Sequence, residues 1–193
     1  APGHFGDRRK ASGGVAIAAG RRWLIGPPRG AVTIPEEWAH RVAFAMLPPE
    51  ESPTGREVVL ASVYGWPGGA SSPAARTATD ALLEWVLEQL QGGLGDWVLA
   101  GDVNCPAPML HAIQRRAEAG QLWTVGDLGR AAGCPTYQAA GIATVIDGVW
   151  CSPSMREVWC DSQVVSVSHH GHLAVVAHFE GEACARPPPA LYL

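Results

Sequence analysis

Short apolar runs, rich in Val, Ile and Ala and bounded by Gly, Pro or polar residues, recur along the whole chain: "GGVAIAA" (13–19), "RVAFAML" (41–47), "EVVLASVY" (57–64), "DWVLAGD" (96–102), "TVIDGVWC" (144–151), "QVVSVS" (163–168) and "LAVVAHF" (173–179). Runs of this length and composition, closed by turn residues, predict buried strands. Two segments carry helical periodicity instead. In "SPAARTATDALLEWVLEQLQGG", Ser72 precedes Pro73 as a helix start, Ala81, Leu82, Trp85, Val86 and Leu90 share one face, and Gly92 marks the stop. The segment "APMLHAIQRRAEAG" repeats the pattern over about 107–119. Strands outnumber helices, so the expected fold is a mixed α/β domain centred on sheet.

The length of 193 residues, 47% of them hydrophobic, favours one sizeable core over two. The expected organisation is a loose tail over 1–11, one domain over 12–181 and a Pro-rich tail over 182–193. No apolar run approaches the roughly 18 residues needed to cross a bilayer, and the first ten residues, "APGHFGDRRK", lack the apolar core of a signal peptide. The five cysteines, Cys105, Cys134, Cys151, Cys160 and Cys184, are odd in number and contain no CxxC pair. A disulfide framework or cysteine zinc site is therefore disfavoured, and an intracellular, reduced setting, including the nucleus, is expected. A net charge of −4 gives no global attraction to a polyanion, so any nucleic-acid contact must be local. The arginine pairs Arg8–Arg9, Arg21–Arg22 and Arg115–Arg116 read as solvated surface.

The chemistry begins at "WVLAGDVNCPAP" (97–108), where an apolar strand ends in Gly-Asp-x-Asn. Alternation along a strand aims Asp102 and Asn104 the same way at its carboxyl end, where α/β sheets place their ligands. One carboxylate and one carboxamide offer a base or metal ligand beside a neutral hydrogen-bonding group. Read alone, the motif is equally a strand running into an Asx turn. Asp147, inside "TVIDGVWC", is a carboxylate in an apolar run and requires a partner, for which histidine is suited. Three histidines, His169, His170 and His172, lie in "SHHGHLAV". A zinc site built on these three is a minor alternative, because HHxH lacks the spacing of a familiar ligand pair.

Taken in order, "SGGVAIA" (12–18), "ASVYGWP" (61–67), "AGDVNCP" (100–106), "CPTYQ" (134–138), "TVIDGVWCS" (144–152) and "SHHGHLAV" (168–175) resemble the motifs of the endonuclease/exonuclease/phosphatase family, which includes apurinic-site endonucleases, DNase I-like enzymes and the endonuclease domains of non-LTR retrotransposons. The resemblance spans about residues 12–180. It implies a four-layer α/β/β/α sandwich of two packed, mainly antiparallel sheets, truncated at its N-terminal side. It also implies metal-dependent phosphodiester hydrolysis, with DNA or another phosphodiester as substrate, no membrane, and a chain that is a monomer or part of a longer polyprotein.

Carried over by position, the resemblance makes Asp102 the residue that orients or deprotonates the attacking water. Asn104 and Tyr64 become phosphate contacts, and Asp147 becomes the partner of a catalytic histidine, His170. Magnesium, or manganese, is implied at Asp102 and Asn104, with His169 where the family has an acidic ligand in its Ser-Asp-His-x-Pro pattern. Thr136 matches a threonine common in the family, and Trp66 is a candidate for stacking on a base. Two departures stand out: the acid of that pattern is missing, and so is the upstream strand with its metal-binding glutamate, since only Asp7 precedes "GGVAI". Three readings follow. They are a retroelement-type endonuclease of weak or no activity, a non-catalytic copy that binds phosphate or nucleic acid, and a phosphoesterase for small molecules.

Overall fold

The computed structural model describes residues 5–6, 10–11, 15–20, 25–28, 32–93, 95–125, 129–139, 141–169 and 171–181. Two short strands, β1 (Phe5–Gly6) and β2 (Lys10–Ala11), pair with each other. The centre of the molecule is a five-stranded sheet in the order β3-β4-β5-β9-β6, formed by β3 (Val42–Leu47), β4 (Val58–Tyr64), β5 (Asp96–Asp102), β6 (Trp123–Thr124) and β9 (Asp147–Cys151). A second sheet of four strands runs β10-β11-β7-β8, from β7 (Tyr137–Ala139), β8 (Ile142–Thr144), β10 (Trp159–His169) and β11 (His172–Phe179). Every pairing is antiparallel except β4 with β5.

The β4–β5 connection explains that exception. Parallel neighbours need a crossover, and α1 (Pro73–Gly92) supplies it. As the sequence predicts, the Ser72 hydroxyl caps this helix by accepting from the Ala75 amide, and Pro73 occupies its first turn. Its apolar stripe, Leu82, Leu83, Val86, Leu87 and Leu90, packs on one face of the five-stranded sheet, against Ala61, Val63, Trp97 and Leu99. The region expected to be helical over 107–119 is a 3₁₀ turn, Ala107–Met109, followed by α2 (His111–Glu118). The Asp80 carboxylate of α1 accepts from the Ala112 amide in the first turn of α2 and ties the two helices together.

Strand alternation sends the other residues to the opposite face. Leu60, Val98, Ala100, Val149 and Cys151 meet Val175, Ala177 and Phe179 of β11, so the two sheets stack through a second core. The result is the expected mixed α/β sandwich of two mainly antiparallel sheets with helices. Differences lie at the edges. The stretch expected as a strand over 13–19 has residues 15–19 outside any strand, while its residues 13–14 fall outside the described set. The β7–β8 hairpin and the short helix α3 (Pro153–Glu157) were not expected. The expected tail over 182–193 lies outside the described residues, and of the one over 1–11 only 5–6 and 10–11 are described, as β1 and β2.

One local feature fixes how closely β4, β5 and β9 approach. Gly101 and Gly148 are cross-strand partners, one position away from Asp102 and Asp147. A methyl group on Gly101 would collide with the Val63 carbonyl of β4, and one on Gly148 with the ring of Trp150, a side chain buried to 1% exposure. Gly101→Ala is therefore expected to destabilise the fold by about 2–3 kcal/mol or more, because the obstacle is backbone. Urea denaturation would measure the loss. Gly148→Ala, whose obstacle is a side-chain ring, should cost less.

Candidate active site

The site grows from the register of β5 and β9. Asp102 and Asp147 are direct antiparallel partners at the end of the five-stranded sheet, so their carboxylates are brought to the same place by the ladder itself. Tyr64 is the partner of Asp102 on the other side, in the parallel β4–β5 ladder. Just past β5 the chain turns sharply. Asn104 is the one non-glycine residue with positive φ among the described residues, at 52°, and its amide donates to Asp102 Oδ1 at 2.8 Å, the Asx-type closure of the Asp-x-Asn motif. Its Nδ2 donates to the Gly65 carbonyl at 3.3 Å.

The second sheet contributes the histidine. His172, the first residue of β11, places Nδ1 3.2 Å from Asp147 Oδ2 and Nε2 3.9 Å from Asp102 Oδ2. It pairs in register with Tyr137 of β7, whose ring meets the imidazole nearly edge-on, with 4.8 Å between centroids. Tyr137 pairs in turn with Thr144 of β8, and two residues later the chain delivers Ile146 and Asp147. Beside this ladder the buried Thr136 hydroxyl accepts from the amides of Ile146 and Asp147, each at 3.0 Å. Thr136 also hydrogen-bonds the Asp147 carboxylate and favours its ionised form.

Of the residues expected from sequence, Asp102, Asn104, Asp147 and Tyr64 thus gather at one end of the sandwich. His170 lies outside the described residues. His169 is the last residue of β10, its backbone opposite His172 across the turn. Among the described residues the histidine that reaches Asp147 is His172, which stands at the proline when the family's Ser-Asp-His-x-Pro pattern is counted from Ser168. The reason is the turn: Gly171, with φ +88°, reverses the chain between β10 and β11, so the first position carried back over the sheet edge is 172. The signal for it was present, because the apolar alternation of "LAVVAHF" begins directly after His172.

Trp66 is half-buried, packs on the helix-side core and has the Arg41 guanidinium 4.1 Å above its ring. That face is accordingly taken. Arg41, which opens the apolar run over 41–47 and was not expected to serve the site, is itself buried, at 8% exposure.

Two carboxylates in one half-buried place raise each other's cost of ionisation. Burial, reinforced by the charge of Asp147, pushes Asp102 up to about 6, while the Asn104 amide and His172 act in the opposite sense. Asp147 is also raised, again by burial, with Thr136 and His172 opposing. Asp102, Asp147 and His172 each offer a ligand atom within 4.8 Å of the others. A divalent cation fits this donor set electrostatically, since it relieves the carboxylate repulsion that the fold enforces. Oxygen donors from Asp102, Asp147 and the Asn104 carboxamide are the type magnesium or manganese takes.

No protein-family model matches the chain, and no curated protein matches its sequence. Solved structures do match its fold. A 3′ phosphatase, NExo from Neisseria, solved bound to a product DNA hairpin, aligns at 20% identity over 82% of this chain and 72% of its own, with a TM-score of 0.59. The endonuclease domain of TRAS1, a telomere-specific non-LTR retrotransposon, aligns at 15% identity over 82% of this chain and 67% of its own, with a TM-score of 0.58. An AP endonuclease from Archaeoglobus fulgidus aligns at 16% identity over 73% and 65%, with a TM-score of 0.54. The chain therefore has the endonuclease/exonuclease/phosphatase fold, shared by nucleases and phosphatases. No helix among the described residues is long and apolar enough to cross a membrane.

Two expectations follow from the electrostatics. The folded protein holds the Asp102 proton more tightly than the unfolded chain, so stability falls as pH rises from about 3.8 to about 6 and the full penalty is present above that range. In the presence of a chelator, Asp102→Asn should raise stability at pH 8 by up to about 3 kcal/mol, with the gain shrinking as pH falls through about 6 and lost below about pH 4. Thermal or urea unfolding across pH would show it. For Thr136→Val, which strands two amides beside a buried carboxylate, a loss of about 2–4 kcal/mol is expected in the same assay.

Proposed function

We propose that the chain is a hydrolase of phosphodiester bonds in nucleic acid, most suited to DNA, working at the Asp102–Asp147–His172 centre. The single observation carrying this reading is the His172 bridge, an imidazole held by one carboxylate and facing another at the end of a sandwich shared with nucleases. Asp102, kept near neutrality in its proton affinity by burial, is matched to accept a proton from water around pH 7. Asp147 orients His172 through Nδ1, so that in the imidazolium form, with both ring nitrogens protonated, Nε2 donates to a phosphoryl oxygen as negative charge gathers there. Tyr64 and Asn104 flank that position as hydrogen-bonding groups for the phosphate.

A magnesium or manganese ion held by Asp102, Asn104 and Asp147 would neutralise charge on the phosphate. His170 and His169, the positions first matched to the family pattern, are replaced in this reading by His172 and Gly171. Aligned on His172, the Ser-Asp-His-x-Pro pattern puts Gly171 at the acid and Ala174 at the proline. The position cannot simply take an acid back: a Cβ on Gly171 would stand 2.6 Å from the Gln138 carbonyl, on a backbone with φ +88°. Slow cleavage is the consequence, since one carboxylate of the pattern has no place to stand. A role within a retroelement polyprotein and a nuclear location belong to the same proposal, supported by the sequence resemblance.

The test is cleavage of supercoiled plasmid and of an abasic-site duplex in magnesium or manganese. His172→Ala and Asp102→Ala are each expected to lower the rate at least 100-fold, and His170→Ala by less than 3-fold. A protein that binds DNA with no chelator-sensitive cleavage at any pH would favour the non-catalytic reading instead.

A further inference from the structure

Arg41 is a cation with more than nine-tenths of its surface buried, and the centre described above makes no direct use of it. Its Nη1 donates to two consecutive carbonyls, Tyr64 at 3.2 Å and Gly65 at 3.0 Å, while its Nε has no hydrogen-bond partner among the described residues. The guanidinium plane is held from the side by Trp66, 4.1 Å to the ring centroid, and more loosely by Tyr64 at 5.5 Å. The backbone amide of Trp66 is in turn fixed by the Thr79 hydroxyl of α1 at 2.9 Å. So costly a burial, with one guanidinium nitrogen shared between two main-chain oxygens, pins the direction of the Tyr64–Gly65 peptides.

The second of those carbonyls is the one that accepts from Asn104 Nδ2. The same segment is locked to the Asp102 loop from two further directions. The Gly65 amide donates to the Asp102 carbonyl at 2.8 Å, and Gly65 packs so tightly on Val103 that a Cβ there would overlap its main chain. A carboxamide beside a fixed carbonyl has one acceptable orientation, with its nitrogen toward that oxygen. The opposite orientation sets two oxygens against each other. The Gly65 carbonyl therefore decides which end of Asn104 is engaged there and which end is left for the site.

We propose that Arg41 is a positioning residue that acts through the Gly65 carbonyl to hold the Asn104 carboxamide with its oxygen free for a cation or phosphate-bound proton. The proposal rests on the hydrolase reading for its consequence, and on hydrogen bonds alone for its mechanism. A merely structural arginine would contribute to stability and leave the Asn104 side chain unaffected.

The experiment compares the full chain with its Arg41→Met and Arg41→Lys variants, using the side-chain amide resonances of Asn104 by ¹H–¹⁵N NMR and the binding of Mn²⁺ alone by water proton relaxation. In the unaltered protein the Gly65-bound proton should be shifted away from its geminal partner and protected from exchange. Arg41→Met is expected to collapse that separation, speed exchange at least 10-fold and weaken Mn²⁺ binding 3- to 10-fold, with no further weakening when made in an Asn104→Ala background. Asn104 resonances identical to those of the unaltered protein in a folded Arg41→Met variant, or additive effects on Mn²⁺ in the double variant, would overturn it. Should Arg41→Met not fold, Arg41→Lys, whose shorter, non-planar ammonium cannot keep both the stack on Trp66 and the two carbonyl contacts, must still shift the Asn104 signals; unchanged signals there defeat the proposal. Absence of Mn²⁺ binding by the unaltered protein would count against the metal reading, and the NMR comparison would still decide on Arg41.

Discussion

The register that sets Asp102 opposite Asp147 is the constraint on which the rest of this molecule depends. Two carboxylates on adjacent antiparallel strands are an unfavourable pair, and the surroundings are arranged to make them tolerable. Thr136 and His172 hold Asp147, the Asn104 amide holds Asp102, and the imidazole lies between them. The Gly101–Gly148 pair behind them lets β5 close on its neighbour and lets the Trp150 ring lie across the space. Sheet geometry, glycine placement and polar partners are thus one arrangement serving a pair of charges that stability alone would not select.

Much of this was legible in the sequence because strand alternation is a strong signal. The runs at 41–47, 57–64 and 96–102 became β3, β4 and β5 nearly residue for residue, and Ser72–Pro73 marked the start of α1. Asp102 and Asn104 followed from the end of one run, and Asp147 from the cost of a lone carboxylate inside another. The segment at 13–19 misled because its small apolar residues have strand composition while its described part, 15–19, is paired with no strand among the described residues. The β7–β8 hairpin escaped notice because three-residue strands are too short to show a period.

The histidine illustrates a different limit. Counting a short motif from Ser168 leads to His170, whereas the residue directly before the apolar run that begins at Leu173 and is buried over Ala174–Ala177 is His172. A register fixed by a core is more dependable than one fixed by a polar turn, where insertions and deletions cost little. Arg41 was unreadable for a related reason: its importance lies in two main-chain carbonyls, and no side-chain pattern announces a partner of that kind.

The centre draws its carboxylates from one sheet and its imidazole from the other. The ladders within each sheet are continuous hydrogen-bonded structures, but apart from the bonds of Thr136 and His172 at the site itself, the sheets meet through apolar contact of residues such as Val98, Ala100, Val175 and Ala177. Apolar contact is non-directional and tolerates small sliding that a hydrogen-bonded ladder does not. Lateral creep of one layer over the other, of an ångström or so, would separate His172 from Asp147 while both ladders stayed whole. In such an arrangement the chemistry is the most fragile property of the fold, and warming or mild denaturant should extinguish it while the secondary structure is still intact.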